Sequence, residues 1–173
     1  MSRLAVRYST AFVAAATVVT LAVGGRVSMK LSGGKTASVE MRDAGFCNTS
    51  TSLGTTTMRI FAFGANNKEW AVTMRSSTGM PKAGTHVIDP ATPGSMTAGL
   101  IDKTVGAASS EWVRYEAATG SVTFSLSDST HVAGSFAFAA RPTWPATGGR
   151  AVSADGTFEA TVTEGCNEAT KRK

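Results

Sequence analysis

Residues 121–139 read SVTFSLSDSTHVAGSFAFA, and this stretch decides the fold class. Val122, Phe124 and Leu126 alternate with Ser121, Thr123 and Ser125; Asp128-Ser129 interrupts the pattern, and Val132, Phe136 and Phe138 resume it on one face. Neighbouring side chains in a strand point to opposite faces, so a period of two predicts two half-buried strands, Ser121 to Leu126 and His131 to Ala139, joined by a turn.

The same signal recurs along the chain. Thr36 to Met41 reads as a first strand, and Thr55 to Phe63 as a second. Asn66-Asn67 then turns the chain into Trp70 to Arg75, a hairpin pattern. Thr85 to Ile88 is stopped by Asp89-Pro90; Ser95 to Ile101 and Trp112 to Ala117 carry weaker patterns, and Thr157 to Thr163 closes the series, with Phe158, Ala160 and Val162 on one face. Roughly seven to nine short strands at spacings near ten residues fit a β-sandwich or a small barrel. The expectation is an all-β antiparallel sandwich over residues 35–173, preceded by an apolar helix and short linker over residues 1–34. No helical pattern long enough for a βαβ unit occurs outside that first segment.

Composition agrees. In 173 residues, 42% are hydrophobic, 17% are charged and 18 are glycine, which excludes a coiled coil and general disorder. The formal charge of +5 sits at the ends: Arg3 and Arg7 supply two positive charges and Lys171, Arg172 and Lys173 three, leaving twelve of each sign between Arg26 and Thr170. A nucleic-acid binder needs its charge on a folded face beside stacking aromatics or a recognition element, so no nucleic-acid partner is expected.

The uncharged run Tyr8 to Gly25, YSTAFVAAATVVTLAVGG, lies where the lengths of signal peptides and spanning helices meet. Ala22-Val23-Gly24 is a poor A-x-A cleavage site, and no nearby cysteine offers lipid attachment. Phe12, Ala16, Thr20 and Gly24 form a stripe at four-residue spacing, mostly of small residues, that admits another helix closely in lipid. We therefore expect an uncleaved anchor in a bacterial inner membrane, with Arg3 and Arg7 cytoplasmic and the β-domain periplasmic. The alternative is a cleaved signal and a soluble periplasmic or secreted domain. In an oxidising compartment, Cys47 and Cys166, 119 positions apart, are expected to form a disulfide tying the domain's ends together, the alternative being two buried thiols.

Three segments carry a resemblance: Gly120-Ser-Val-Thr-Phe-Ser-Leu, Val132-Ala-Gly-Ser-Phe-Ala-Phe and Gly156-Thr-Phe-Glu-Ala-Thr-Val. Together they resemble a pattern in small exported bacterial β-domains, in which G-T-V-T, V-x-G-T-F-x-F and G-T-F strands follow one another. The resemblance covers roughly residues 110–163 and implies an exported β architecture but no activity. The layout of one helix and one exported domain also resembles single-span accessory subunits of bacterial membrane complexes, with photosynthetic reaction-centre–light-harvesting assemblies the first case to consider. The apolar run has no histidine to ligate a chlorophyll magnesium, so such a subunit would brace pigment proteins without carrying pigment.

Candidate chemistry is thin. Ser32-Gly33-Gly34-Lys35-Thr36 ends like a phosphate-binding loop, but the position requiring the first glycine is Met29. No G-x-S-x-G elbow and no C-x-x-C-H occurs. His86 and His131 lack partner motifs, and the carboxylates Asp89, Asp102, Glu111, Glu116, Asp128, Asp155 and Glu159 are scattered singly. Two histidines and two cysteines do not close a zinc site unaided. No enzyme, metal or cofactor is expected. Arg141-Pro142-Thr143-Trp144-Pro145 places a tryptophan between prolines in a loop, a combination favoured at interfaces; the other reading folds Trp144 back over the domain. Trp144, Arg141, Lys171, Arg172 and Lys173 are the candidate contacts to a partner, and Trp70, Trp112 and Tyr115 read as core or sheet-face residues. The expected function is non-catalytic: an accessory subunit bracing membrane proteins of a larger complex, held in the bilayer by residues 8–25. The alternative is an exported binding domain for a glycan, lipid or small ligand.

Overall fold

The computed structural model describes residues 24–50, 56–64, 70–104, 106, 108–144 and 150–163. It contains nine strands: β1 (Gly25–Gly33), β2 (Ala37–Ser50), β3 (Thr56–Phe63), β4 (Trp70–Ser76), β5 (Gly84–Ile88), β6 (Thr97–Asp102), β7 (Val113–Ser127), β8 (His131–Trp144) and β9 (Val152–Val162). Hydrogen bonding runs β7-β6-β4-β3-β2-β1-β9-β8 and returns from β8 to β7, closing an eight-strand barrel. The ninth strand, β5, pairs with Gly120–Phe124 of β7, on the edge whose other half, Val113–Glu116, takes β6.

The all-β class holds, but the sandwich does not. Sandwich and barrel strands share the same inward–outward alternation, so the pattern alone does not separate them. What separates them is strand length and curvature. Trp112–Ala117 and Ser121–Leu126, read as two strands, are one 15-residue strand, and β8 has 14 residues. Their pairing shifts register at Ala117/Thr119 and Phe124/Leu126, and bulges of this kind bend long strands round a barrel. Closure also removes the open edges that a sandwich must protect.

The domain boundary moves too. The barrel begins at Gly25, not at residue 35: the stretch read as anchor end and linker is β1, a wall strand between β2 and β9. Alternation with Arg26, Ser28 and Lys30 outside buries Val27, Met29 and Leu31, a pattern hidden in the sequence by its position against the apolar run. The proposed helix over residues 8–23 lies outside the described residues. Gly24, the last member of the stripe, is not helical: its φ is +138°, and Gly25 after it is already strand. No helix among the described residues is long and apolar enough to cross a membrane.

Gly25 marks a seam. A Cβ there would lie 2.1 Å from the Ala44 carbonyl oxygen and 2.5 Å from that of Glu159, so only glycine fits. Beyond it β2 and β9 close on each other in a short parallel pairing, Gly45 with Thr161 and Phe46 with Val162. The bulge that bends β2 onto β9 lies between Arg42 and Gly45 and holds Asp43 at φ +56°.

The lumen is a core. Phe46, Phe124, Met29, Met41, Met58, Met74, Ile60, Ile88 and Leu100 are among its fully buried side chains. Phe124 meets Phe158 edge to face, ring centroids 5.4 Å apart. An eight-strand barrel is just wide enough for side chains to fill, and flexible methionines suit its irregular gaps. The outer face carries Ser28, Lys30, Glu40, Ser135, Asp155 and Thr157, all polar. Apolar inside and polar outside is the reverse of the alternation in a membrane-crossing barrel.

Candidate functional site

With the lumen filled, chemistry is confined to the barrel's two ends and its outer wall. The entry end is where β1 begins; there β2, β4, β7 and β9 finish. The far end collects the β1–β2, β3–β4, β6–β7 and β8–β9 connections.

The far end gathers residues that the sequence shows only as scattered. Asp102, the last residue of β6, is fully buried and forms an ion pair with Lys35 from the β1–β2 turn. Its Oδ1 accepts from the Thr104 amide at 2.9 Å and the Thr104 hydroxyl at 2.5 Å. The Lys35 ammonium also sits 5.8 Å from the centre of the Trp70 ring, and Trp70 stacks, tilted, on Tyr115 at 6.1 Å. Beside them the nearly buried Lys103 ammonium lies 4.8 Å from the Trp112 ring centre and 5.1 Å from that of Phe63. Trp112 Nε1 donates to the Gly106 carbonyl at 3.2 Å, which fixes the indole. Burial, and secondarily the Asp102 charge, pushes the Tyr115 hydroxyl above its ordinary 10.0, and burial pulls the Lys103 ammonium below 10.5. The arrangement is a charged and aromatic plug closing the core at this end.

The partner residues expected from sequence are only partly placed. Trp144 is 53% exposed and is the last residue of β8, opposite Arg114, so it neither sits in the following loop nor folds back over the barrel. Arg141 is exposed on the same strand, opposite Glu116. Lys171, Arg172 and Lys173, and Phe12, Ala16 and Thr20 of the stripe, lie outside the described residues. Cys47 is disulfide-bonded; Cys166, the chain's other cysteine, also lies outside them. Trp70 and Tyr115 are buried as expected, while Trp112 is half-buried in the β6–β7 connection.

The two histidines are far from any reactive arrangement. His86 Nε2 is 2.7 Å from the Lys82 carbonyl, and its ring meets the edge of Phe124. His131 Nε2 is 3.7 Å from Glu159 Oε1 at the entry end. Among the described residues neither ring bonds a hydroxyl or thiol, and no three metal-ligating side chains converge. Asp89 and Asp128 cap turns: the Thr92 hydroxyl and Ala91 amide, and the Thr130 amide and hydroxyl with the His131 amide, hold these carboxylates below the ordinary 3.8.

The outer wall bears one feature that sequence reading passed over, a cleft of about 640 Å³ across β2, β3, β4, β6 and β7. Arg59, Arg75, Thr73, Thr97 and Glu116 line it, with Cys47 at one side and Pro90 at the rim. No sequence signal singles these residues out, because strand register alone makes neighbours of positions 59, 75 and 97. Comparison of the chain with protein-family models, with curated proteins and with solved structures finds no match.

Proposed function

We propose that the protein is a non-catalytic accessory subunit: a barrel held on the periplasmic face of a bacterial membrane by its N-terminal apolar run, and working through its outer surface. One observation carries the reading. The apolar run meets the barrel with no linker, because Gly25 is already locked between β2 and β9. A domain meant to swing freely is joined by a flexible tether, whose reach grows with its length. Here a retained helix would be coupled to the wall through Gly24 alone, which suits a brace.

The lumen of the described barrel, filled by side chains such as Phe46, Phe124 and Met74, supports the same direction, since lipid-carrying barrels keep theirs open. The exposed Trp144 at the far end and the outer wall are then the surfaces available to partners. The second reading, a barrel released by cleavage and binding a glycan, lipid or small ligand, draws on the wall cleft. Photosynthetic reaction-centre complexes stay a candidate partner on layout alone; co-elution with pigment proteins is the observation that would support them.

The test has two parts. Intact mass of the protein extracted gently from native membranes is expected near the full 17.8 kDa, with the complex co-eluting. Inserting an eight-residue Gly/Ser linker between Gly24 and Gly25 is expected to leave the barrel folded and membrane-bound but to weaken co-elution. A mature form starting near Gly25 in the soluble periplasm overturns the subunit reading and favours the released binding domain.

A further inference from the structure

On the wall of this barrel, three cations are set in register against acids: Arg26 lies opposite Glu159, Lys30 opposite Asp155 and Arg141 opposite Glu116. Arg114 lies between Ile101 and Trp144. Arg59 and Arg75 are placed differently again. They face each other directly across β3 and β4, and like charges so placed repel. Their outer neighbours are Cys47 on one side and Thr97 on the other, neither of them acidic. Arg26 and Arg42 also oppose each other, but Glu159 flanks that pair. Among the described residues Arg59 and Arg75 form no ion pair, and neither do Arg26, Lys30 and Arg141; what sets Arg59 and Arg75 apart is a direct arginine–arginine register with no acid in the flanking positions.

We infer that the wall cleft binds a tetrahedral oxyanion, phosphate or sulfate, clamped between the Arg59 and Arg75 guanidiniums. Guanidinium groups present planar forks of donors that match oxyanion oxygens. Two such forks on adjacent strands converge on one anion, and its charge removes the repulsion that the empty pair carries. The Thr97 hydroxyl, in register with Arg75, and the Thr73 hydroxyl, two residues back on the same face of β4, add neutral donors. Glu116 lines the opposite side beyond Gly99 and would repel an anion placed there, which confines the anion to the arginine side. The cleft of about 640 Å³ exceeds a bare anion, so the oxyanion can be a substituent on a larger molecule. Arg75 and Thr97 lie where β4 ends and β6 begins, the end at which β1 starts and which the proposed anchorage turns toward the bilayer. Membrane phospholipid headgroups are therefore one source of the oxyanion and free phosphate the other. The site holds whether or not the barrel is a subunit.

The experiment uses the full chain in a phosphate-free maltoside detergent and reads thermal stability against sodium phosphate, with chloride at matched ionic strength as reference. A saturable rise in Tm specific to phosphate is expected. Arg59→Gln and Arg75→Gln should each weaken the apparent affinity roughly tenfold, the loss of one charge-assisted clamp, and the double variant should abolish the response. Lys30→Gln, on β1 and outside the cleft, should leave it intact. Relief of the like-charge contact means that the two single variants fold at least as stably as the parent without anion, and circular dichroism checks this. Arg→Lys at either position, which keeps charge but not the fork, should recover only part of the response. Repeating the titration in phosphatidylglycerol nanodiscs separates the sources. A response already saturated there, and sensitive to both arginines, identifies the headgroup; a response that still needs added phosphate identifies the free anion. No rise beyond chloride in the parent, or an equal rise in the double variant, overturns the site.

Discussion

The Asp102–Lys35 pair offers the sharpest test of the far-end plug. Asp102 is fully buried, while the Lys35 side chain is 37% exposed, so the two partners differ in what their removal leaves behind. Lys35→Met strips the counterion from a carboxylate buried from solvent. Breaking a buried pair in this way costs about 3–5 kcal/mol in general. Here the Thr104 amide and hydroxyl keep bonding Oδ1, so only Oδ2 is orphaned, and about 3 kcal/mol is the expected loss. Asp102→Asn removes the charge and leaves Lys35 able to turn into solvent along the Trp70 face. The remaining loss is one charge-assisted bond and an amide poorly matched to its site, about 1.5–2 kcal/mol. The double variant should cost less than the sum, with a coupling of about 1.5–2 kcal/mol. Urea denaturation of the four proteins at neutral pH measures all three quantities; at about 3 °C per kcal/mol, thermal scans should show Lys35→Met falling by roughly 10 °C. A second readout is independent of stability. The Asp102 charge is the lesser cause of the raised Tyr115 ionisation, so in Asp102→Asn that ionisation should shift downward and yet stay above 10.0, because burial persists. If Lys35→Met costs no more than Asp102→Asn, the carboxylate is solvated and the plug is not a buried ion pair.

Four further outcomes are expected. Phe124→Ala opens a hole against Phe158 toward the entry end of the lumen and should cost about 3–5 kcal/mol by chemical denaturation. Cys47→Ser removes a constraint whose chain-entropy value, for a loop to Cys166, is on the order of 4–5 kcal/mol; reduction should add about 2 Da to the parent and nothing to the variant, and no mass change in the parent would deny that bridge. At alkaline pH, the raised Tyr115 group makes the unfolded state release its proton first, so this contribution is complete below 10.0 and is lost as pH rises through the folded value; Tyr115→Phe should flatten that decline in denaturation midpoints. At acid pH the sign reverses for Asp128: its lowered value stabilises the β7–β8 turn above 3.8 and is lost as pH falls through the folded value. Amide exchange at Thr130 and His131 should therefore accelerate there, and Asp128→Asn should remove the pH dependence.

How much of this was legible in the sequence depended on what each reading needed. Strand identity was legible wherever alternation was clean, as in Val122-Phe124 and Phe136-Phe138, because period-two burial is written locally. Closure was not, because it depends on bulges such as that between Arg42 and Gly45, and Asp-Ala-Gly there reads as an ordinary turn. β1 was lost to its neighbour: Val27, Met29 and Leu31 alternate as well as any strand, but they follow an apolar run that drew the reading toward a membrane segment. The far-end plug and the wall cleft are register products. Lys35 and Asp102 are 67 positions apart, and Arg59 and Arg75 meet because Ile60 pairs with Met74 beside them. No local pattern encodes such pairs, and with single carboxylates and lysines scattered through the chain, none stood out.

The seam at Gly25 joins these observations into one orientation. The parallel contact of β2 with β9 shuts the wall behind β1, which fixes Gly25 at the entry end. Under the proposed anchorage that end faces the bilayer. A nine-residue strand rising about 3.3 Å per residue, tilted as barrel strands are, places the far end about 20–25 Å away. Trp144 and Phe63, both exposed, then lie at the end farther from the lipid, while Arg75 and Thr97 lie in the half nearest the headgroups. Under the two proposals the surfaces have different addressees: a protein partner for the aromatic end and an oxyanion for the wall. They separate experimentally. Trp144→Ala should weaken co-elution with a complex and leave the phosphate response unchanged, and Arg59→Gln with Arg75→Gln should do the opposite. A single variant that abolishes both would mean that the barrel presents one continuous surface, and the assignment of its ends would have to be redrawn.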